Sequence, residues 1–343
     1  MPNTIDTYSR HAHYLEQYFN GQANKINPFL RRIAKKLRLE LTKTETVVSQ
    51  RRTEALLKFT EQLVNSELKD FTQELSGQIE LFAVSEAAFA VETVAAVKGF
   101  EMVIPAPNQL YAAVNARPFN NRLLKDYLSE FSTTQARAVR DAVSMGFYEG
   151  QTTQQIVQGI VGTKSQDFKN GTLNVTRTSA NTMVRTALSH TASVSKAKTF
   201  ADNPDIIPYY EWVSTLDGRT SPLCRARDGQ AYKVGKGPLP PAHYNCRSTT
   251  SPLFADEVNP KTLKKLDTGG RRASMDGQVS ADLNYNDWLA KQSKSFQVDV
   301  LGETKADLFR KGELTMDKFV NNKGQELTLD QLKDKYPTAW AKI

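Results

Sequence analysis

The sequence is poor in cysteine and histidine, and it has no long apolar stretch. Two cysteines among 343 residues are too few for a disulfide framework, so we expect a protein of the reducing cytoplasm or of a particle assembled there. The longest apolar candidate, residues 81–103, contains four charged side chains, whereas a membrane span needs about 18 predominantly apolar residues. The first 20 residues are polar and lack the apolar core of a signal peptide. We therefore expect no membrane association.

Signatures of several enzyme classes are also missing. The sequence contains neither a Gly-rich phosphate loop nor a His-Glu-x-x-His motif. Its composition, with 39% apolar and 24% charged residues, is typical of soluble globular proteins. These absences favour a protein that is not an enzyme.

Positive charge is concentrated near the N-terminus. The net charge is +8, and between Lys25 and Lys58 ten basic residues stand against three glutamates. Within this stretch Asn27–Pro28 begins a helical pattern in which apolar residues recur at positions 30, 33, 37 and 41. The basic residues of this helix are Arg31, Arg32, Lys35, Lys36 and Arg38. We expect them to contact nucleic-acid phosphates or an acidic protein surface, with a solvated helix face as the alternative.

Helical patterns dominate the chain up to residue 201. Glycines at 77 and 99 are expected to interrupt the helical stretch that follows residue 56, and Thr152 and Thr328 are predicted helix N-caps. Segments 209–214, 229–234 and 247–253 are predicted short strands. We therefore expect an α+β fold that is mostly helical, with a small, turn-rich β module near residues 205–255 and a short helical C-terminal tail. The expected regions are 1–107 (helical and basic), 121–255 (with the β module) and 256–343 (a helical extension).

Both cysteines lie in the turn-rich segment from Asp217 to Arg247. Cys224 and Cys246 are 22 positions apart, and His243 precedes the second cysteine by three. Thiolate, imidazole and carboxylate groups are the side chains that hold zinc in proteins. This segment is therefore a candidate structural zinc site, with Cys224, His243 and Cys246 as three ligands and Asp217, or alternatively Asp228, as the fourth.

Other interpretations of the same segment stay open. The cysteines can form a disulfide or pack as buried thiols. Arg219 and Arg247 can pair with Asp217 and Asp228 in a polar clasp that needs no metal. A cysteine with His243 can also form the nucleophilic pair of a hydrolase, but neither cysteine has the sequence context of a helix N-terminus, where such nucleophiles commonly lie. We favour a structural module, and a zinc-dependent or Cys–His hydrolase is the alternative.

The pattern of residues 121–253 resembles a known family. It comprises Arg185-Thr186 in a predicted helix, Trp212 in a predicted strand, Asp217-x-Arg219-Thr220, Cys224, Asp228-Gly229 and the run Pro240-Pro241-x-His243-x-Asn245-Cys246-Arg247. This order is similar to that of the phage head-morphogenesis family, the minor head proteins related to protein F of phage Mu. Members commonly have a second cysteine after the arginine of this run, where the present chain has Ser248.

The resemblance implies a virion component without enzymatic activity. Such proteins are expected in few copies per particle, in the head interior or near the portal vertex, after assembly in the host cytoplasm. The implied partners are the portal protein and phage DNA, together with the major capsid or scaffolding protein. The implied role is DNA packaging or delivery.

Overall fold

The computed structural model describes residues 3–43, 50–266 and 269–343. Up to residue 201 the described chain is helical, as the sequence predicts. The helices are α1 (Thr4–Asn24), α2 (Asn27–Thr42), α3 (Gln50–Lys98), α4 (Pro107–Ala116), α5 (Leu124–Tyr148), α6 (Thr153–Val161) and α7 (Thr172–Ala201). None of the helices described here is long and apolar enough to cross a membrane.

Helix α2 shows why the apolar spacing predicted a helix. Its apolar residues at positions 30, 33, 37 and 41 are all buried, so one face of the helix packs inward and the basic residues take the rest of the circumference. Pro28 lies in the first turn, where the missing backbone N–H has no intrahelical partner to lose. The predicted helix is confirmed.

The predicted break at Gly77 is wrong. Helix α3 continues through this residue from Gln50 to Lys98 and ends before Gly99, whose φ is +72°. A glycine inside a helix costs about 1 kcal/mol relative to alanine. Buried residues before and after Gly77, such as Leu75 and Ile79, hold the helix in place on both sides.

The described residues form two compact units, each assembled from segments that are distant in sequence. The first unit combines parts of Met1–Leu15, Val84–Leu110 and Ala192–Ile343, and the second combines parts of Glu16–Ala83 and Tyr111–Thr191. The division of the chain into regions 1–107, 121–255 and 256–343 stays a prediction from the sequence. Helix α2 belongs to the second unit, and the cysteine-containing segment belongs to the first.

The β module of the first unit is a three-stranded antiparallel sheet in the order β2–β1–β3. Its strands are β1 (Tyr209–Val213), β2 (Ala231–Lys233) and β3 (Thr249–Leu253), and the short helix α8 (Pro222–Arg227) connects β1 to β2. In the central strand Tyr210 lies opposite Tyr232 on one side and Pro252 on the other. These strands confirm the predicted segments, each trimmed at its ends. The loop from β2 to β3 carries His243 and Cys246.

The chain after the sheet is less purely helical than expected. Two hairpins lie between the sheet and the helices, which begin at Tyr285 and form the expected helical tail. The elements are β4 (Val258–Asn259), β5 (Lys264–Lys265), β6 (Arg271–Ser274), β7 (Gly277–Ser280), α9 (Tyr285–Ala290), α10 (Lys294–Leu301), α11 (Glu303–Arg310), α12 (Leu329–Lys335) and α13 (Pro337–Trp340). The helices bury a shared apolar core that includes Trp288, Leu308 and Leu332. Thr152 and Thr328 are helix N-caps as predicted, and each forms a capping box.

Candidate metal centre

Cys224 lies in the first turn of α8. Ser221 is the N-cap of this helix, and its hydroxyl accepts a hydrogen bond from the Cys224 backbone N–H (3.4 Å), while Pro222 begins the helix. The expectation that neither cysteine lies at a helix N-terminus is therefore wrong. The Ser221-Pro222 pair was the signal that sequence reasoning missed, since serine at the N-cap followed by proline is a common helix start.

The two cysteines and His243 converge on one point. The Cys224 Sγ atom lies 3.4 Å from His243 Nε2 and 3.7 Å from Cys246 Sγ. All three donor atoms lie within 4.8 Å of one another. Cys224 and Cys246 are 2% and 5% exposed and pack against the fully buried Trp212, while His243 is only partly buried. We call these three residues the donor cluster.

The imidazole of His243 is oriented by its other nitrogen. Nδ1 lies 2.8 Å from the carbonyl oxygen of Tyr244, which can only accept, so Nδ1 carries the proton. The lone pair of Nε2 then faces the two sulfur atoms. The Ser221 hydroxyl lies 2.8 Å from Nε2 and serves as its hydrogen-bond donor.

The three groups of the cluster change one another's proton affinity. The hydrogen bond between the two thiols holds the pKa of Cys246 well below its usual value, and His243, when its imidazole is protonated, acts in the same direction against burial. The same thiol–thiol contact, with burial, raises the pKa of Cys224. The Cys246 sulfur raises the pKa of His243 against the effect of burial. The cluster therefore favours one thiolate, a state that suits either a metal ligand or a nucleophile.

Asp217 lies outside the donor cluster. Its two carboxylate oxygens accept hydrogen bonds of 2.7 and 2.8 Å from the Arg247 guanidinium. Burial raises the pKa of Asp217, but the Arg247 hydrogen bonds and charge outweigh it and hold this pKa below its usual value. The Arg219 side chain is 83% exposed and its Nε atom is 3.7 Å from Asp217, although its backbone N–H donates to the carboxylate at 3.0 Å. Arg247 is therefore the closer partner of Asp217.

The partner of Asp228 is Arg272, which the sequence did not indicate. Arg272 Nη1 and Nη2 donate to the two Asp228 carboxylate oxygens at 2.9 and 3.0 Å. The same carboxylate accepts from the backbone N–H groups of Ser214 (2.6 Å) and Tyr285 (2.7 Å). Asp228 thus joins the end of β1, the end of α8, β6 and the start of α9. Arg272 lies 44 residues after Asp228 and belongs to no motif, so nothing local in the sequence indicated that the two side chains pair.

The basic residues of α2 fall into two groups. Arg32 and Lys36 each lie 2.7 Å from Glu67 of α3, whose side chain is 8% exposed. Burial raises the pKa of Glu67, but the hydrogen bonds from Lys36 and Arg32 outweigh it and lower this pKa. The other three basic residues are exposed, and no ion pair is found for them within residues 3–43, 50–266 and 269–343. These are Arg31, Lys35 and Arg38.

Comparison with known proteins identifies the segment that holds the donor cluster. Residues 137–251 match the family described as Phage Mu protein F like protein. The match covers about a third of the chain and includes the C-terminal half of α5, all of α6 and α7, the β-sheet as far as Ser251 and the three residues of the donor cluster. Comparisons with curated proteins and with solved structures gave no match. Residues 137–251 therefore form a domain similar to the Mu F-like family of phage head-morphogenesis proteins.

Proposed function

We propose that this chain is a structural minor head protein of a tailed phage that contacts the portal protein and the packaged DNA. The match of residues 137–251 to the Mu F-like family is the observation that carries the proposal. The remaining two thirds of the chain lie outside the match, so their contribution has to be inferred from their own surfaces.

The exposed basic residues of α2 support a contact with phosphates. Arg31, Lys35 and Arg38 are spaced by four and three residues, so they lie on one face of the helix. Arg32 and Lys36 are turned toward Glu67 and are already paired. Three positive charges on one helix face can bind the phosphate backbone of DNA electrostatically, independently of the base sequence. They can equally bind an acidic surface on a portal or scaffolding protein.

The burial of the donor cluster supports a structural role over the hydrolase alternative. A nucleophilic thiol has to reach a substrate carbonyl, whereas Cys224 and Cys246 are 2% and 5% exposed. Cys246, the thiol with the lowered pKa, also packs against Trp212. A thiol buried in this way suits a structural contact within the module better than attack on a substrate.

The test is the composition of purified phage heads. Heads from a phage that encodes this chain are separated from free protein, and the chain is quantified against the portal by mass spectrometry. We expect a few copies per head and chemical cross-links to the portal protein. Heads assembled without the chain should form but should contain less DNA or infect poorly. Absence of the chain from purified heads would overturn the proposal.

A further inference from the structure

We propose that Cys224, His243 and Cys246 bind one zinc ion, which fastens helix α8 and the β2–β3 loop to the central strand of the β module. The proposal concerns the folding of the module and is independent of the function proposed for the whole chain. It starts from the spacing of the three donor atoms.

Two of the three donor–donor separations are close to those that a tetrahedral zinc site requires. With Zn–S bonds of about 2.3 Å and a Zn–N bond of about 2.0–2.1 Å, tetrahedral angles place two sulfurs about 3.8 Å apart and a sulfur and nitrogen about 3.6 Å apart. The observed separations are 3.7 Å between the Cys224 and Cys246 sulfurs and 3.4 Å between Cys224 Sγ and His243 Nε2. These two separations differ from the tetrahedral values by about 0.1 and 0.2 Å, and Cys246 Sγ and the His243 donor nitrogen lie within 4.8 Å of each other.

The surroundings of the donors are also those of a metal site. The Nδ1–H of His243 donates to the Tyr244 carbonyl, and a hydrogen bond of this kind fixes the imidazole with the lone pair on Nε2, where a metal ion would replace the Ser221 hydroxyl as its partner. Trp212 forms an apolar wall beside both cysteines. Two thiolates together with Zn²⁺ carry no net charge, so the loaded site fits an environment in which an unpaired thiolate is costly.

The fourth coordination position lies beside two hydroxyl groups. The Ser221 hydroxyl lies 2.8 Å from His243 Nε2 and accepts from the Cys224 backbone N–H, and the Ser248 hydroxyl lies 3.2 Å from that of Ser214, which donates to the Cys224 carbonyl. Asp217 is held by Arg247 at 2.7 Å and is not part of the cluster. We assign the fourth position to one of these hydroxyls or to a water molecule held between them.

Metal content and stability are measured on the full chain, purified with a reducing agent and without chelators. We expect about one zinc per chain, and less than about a tenth of that in Cys224→Ser, Cys246→Ser or His243→Gln. His13→Gln, which removes an exposed histidine of α1, is the matched control and should keep its zinc. Chelation of the wild-type protein should lower its Tm and change its Trp212 fluorescence, and added zinc should reverse both. A folded, reduced, metal-free protein with a Tm insensitive to chelator and to zinc would overturn the proposal.

Two further measurements do not depend on whether the loss variants fold. Co²⁺ in place of zinc should give the strong visible bands of tetrahedral coordination and a near-ultraviolet thiolate charge-transfer band. Weak octahedral bands would contradict the site. Ser221→Cys and Ser248→Cys each place a third sulfur beside Cys224, and at least one should tighten zinc binding tenfold or more in competition with a chelating dye. If neither does so, the assigned fourth position is wrong.

Discussion

The Asp228 carboxylate and the Arg272 guanidinium form an ion pair that is almost completely removed from solvent. Their side chains are 0% and 2% exposed, and Nη1 lies 2.9 Å from Oδ2. Arg272 Nη2 also donates to the Ser214 carbonyl at 2.5 Å, so the pair connects β6 to the end of β1. Because four segments of the first unit meet at these two side chains, they are the polar centre of the module.

Removing Arg272 should destabilise the first unit strongly. Arg272→Met leaves the Asp228 carboxylate buried without its cation, and loss of one partner of a buried pair costs about 3–5 kcal/mol. The measurement is urea or thermal unfolding of the full chain. Arg271→Met, which changes the exposed neighbour on the same strand, is the control and should alter the free energy of unfolding by no more than about 0.5 kcal/mol. Equal stability of the two variants would contradict the role of the pair.

The Asp217–Arg247 pair should make stability depend on pH in the acid range. The pKa of folded Asp217 lies below its ordinary value of 3.8 because the Arg247 hydrogen bonds and charge outweigh burial. The carboxylate therefore contributes stability that is fully present above pH 3.8 and is lost as the pH falls through the folded pKa. We expect Asp217→Asn to be less stable than the wild type at neutral pH and the difference to shrink below pH 3.8. A difference in Tm that is constant with pH would contradict the pairing.

His190 should give the second unit a different pH dependence. Its Nε2–H donates to the Val114 carbonyl at 2.9 Å, and burial lowers its pKa from 6.5 to about 4. The folded state thus prefers neutral imidazole, and stability is lost as the pH falls from 6.5 through about 4, by roughly 3 kcal/mol in total. His190→Gln keeps a donor for Val114 but does not titrate, so its stability should fall less over this range. Parallel curves for the two proteins would show that His190 is not the group responsible.

The exposed face of α2 should account for part of any DNA affinity. Replacing Arg31, Lys35 and Arg38 with glutamine should weaken binding to nonspecific duplex DNA and reduce the slope of log K against log salt by up to about 3 units. Fluorescence anisotropy over a range of salt concentrations measures both quantities. The control replaces three exposed lysines of the C-terminal region with glutamine: Lys291, Lys294 and Lys333. Equal binding by the parent and the α2 variant at every salt concentration would exclude a DNA contact on this face.

Arg32 and Lys36 should behave differently from their neighbours on α2. Both are bonded to Glu67, so Arg32→Gln with Lys36→Gln removes the partners of a carboxylate that is 8% exposed. We expect this double variant to lower the Tm, because the Glu67 side chain loses both of its cations. Its salt slope for DNA should match that of the parent. A slope reduced as much as in the variant of Arg31, Lys35 and Arg38 would show that the paired residues also contact DNA.

Features that depend on neighbours in sequence were determined by the sequence itself. The apolar spacing of α2 predicts the helix and its buried face, since residues three and four apart share one side of a helix. The short segments between turns predict the three strands, and Thr152 and Thr328 predict helix N-caps because the hydrogen-bonded groups lie within three residues. The grouping of Cys224, His243 and Cys246 in one turn-rich segment also indicated a common site.

The tertiary structure decided which of the charged groups meet. Asp217 and Asp228 carry the same charge and stand beside similar turns, yet one is paired with Arg247 and the other with Arg272, 44 residues away. Glu67, more than 30 residues further along the chain, pairs with Arg32 and Lys36 of α2. These two residues are therefore not part of the unpaired basic face of the helix. Ion pairs are set by the distance between side chains after folding, and no local pattern encodes such distances. For the same reason the sequence indicated a set of candidate zinc ligands but could not show which of them meet. The packing of α8 against the β2–β3 loop brings three donors together and leaves Asp217 outside the cluster.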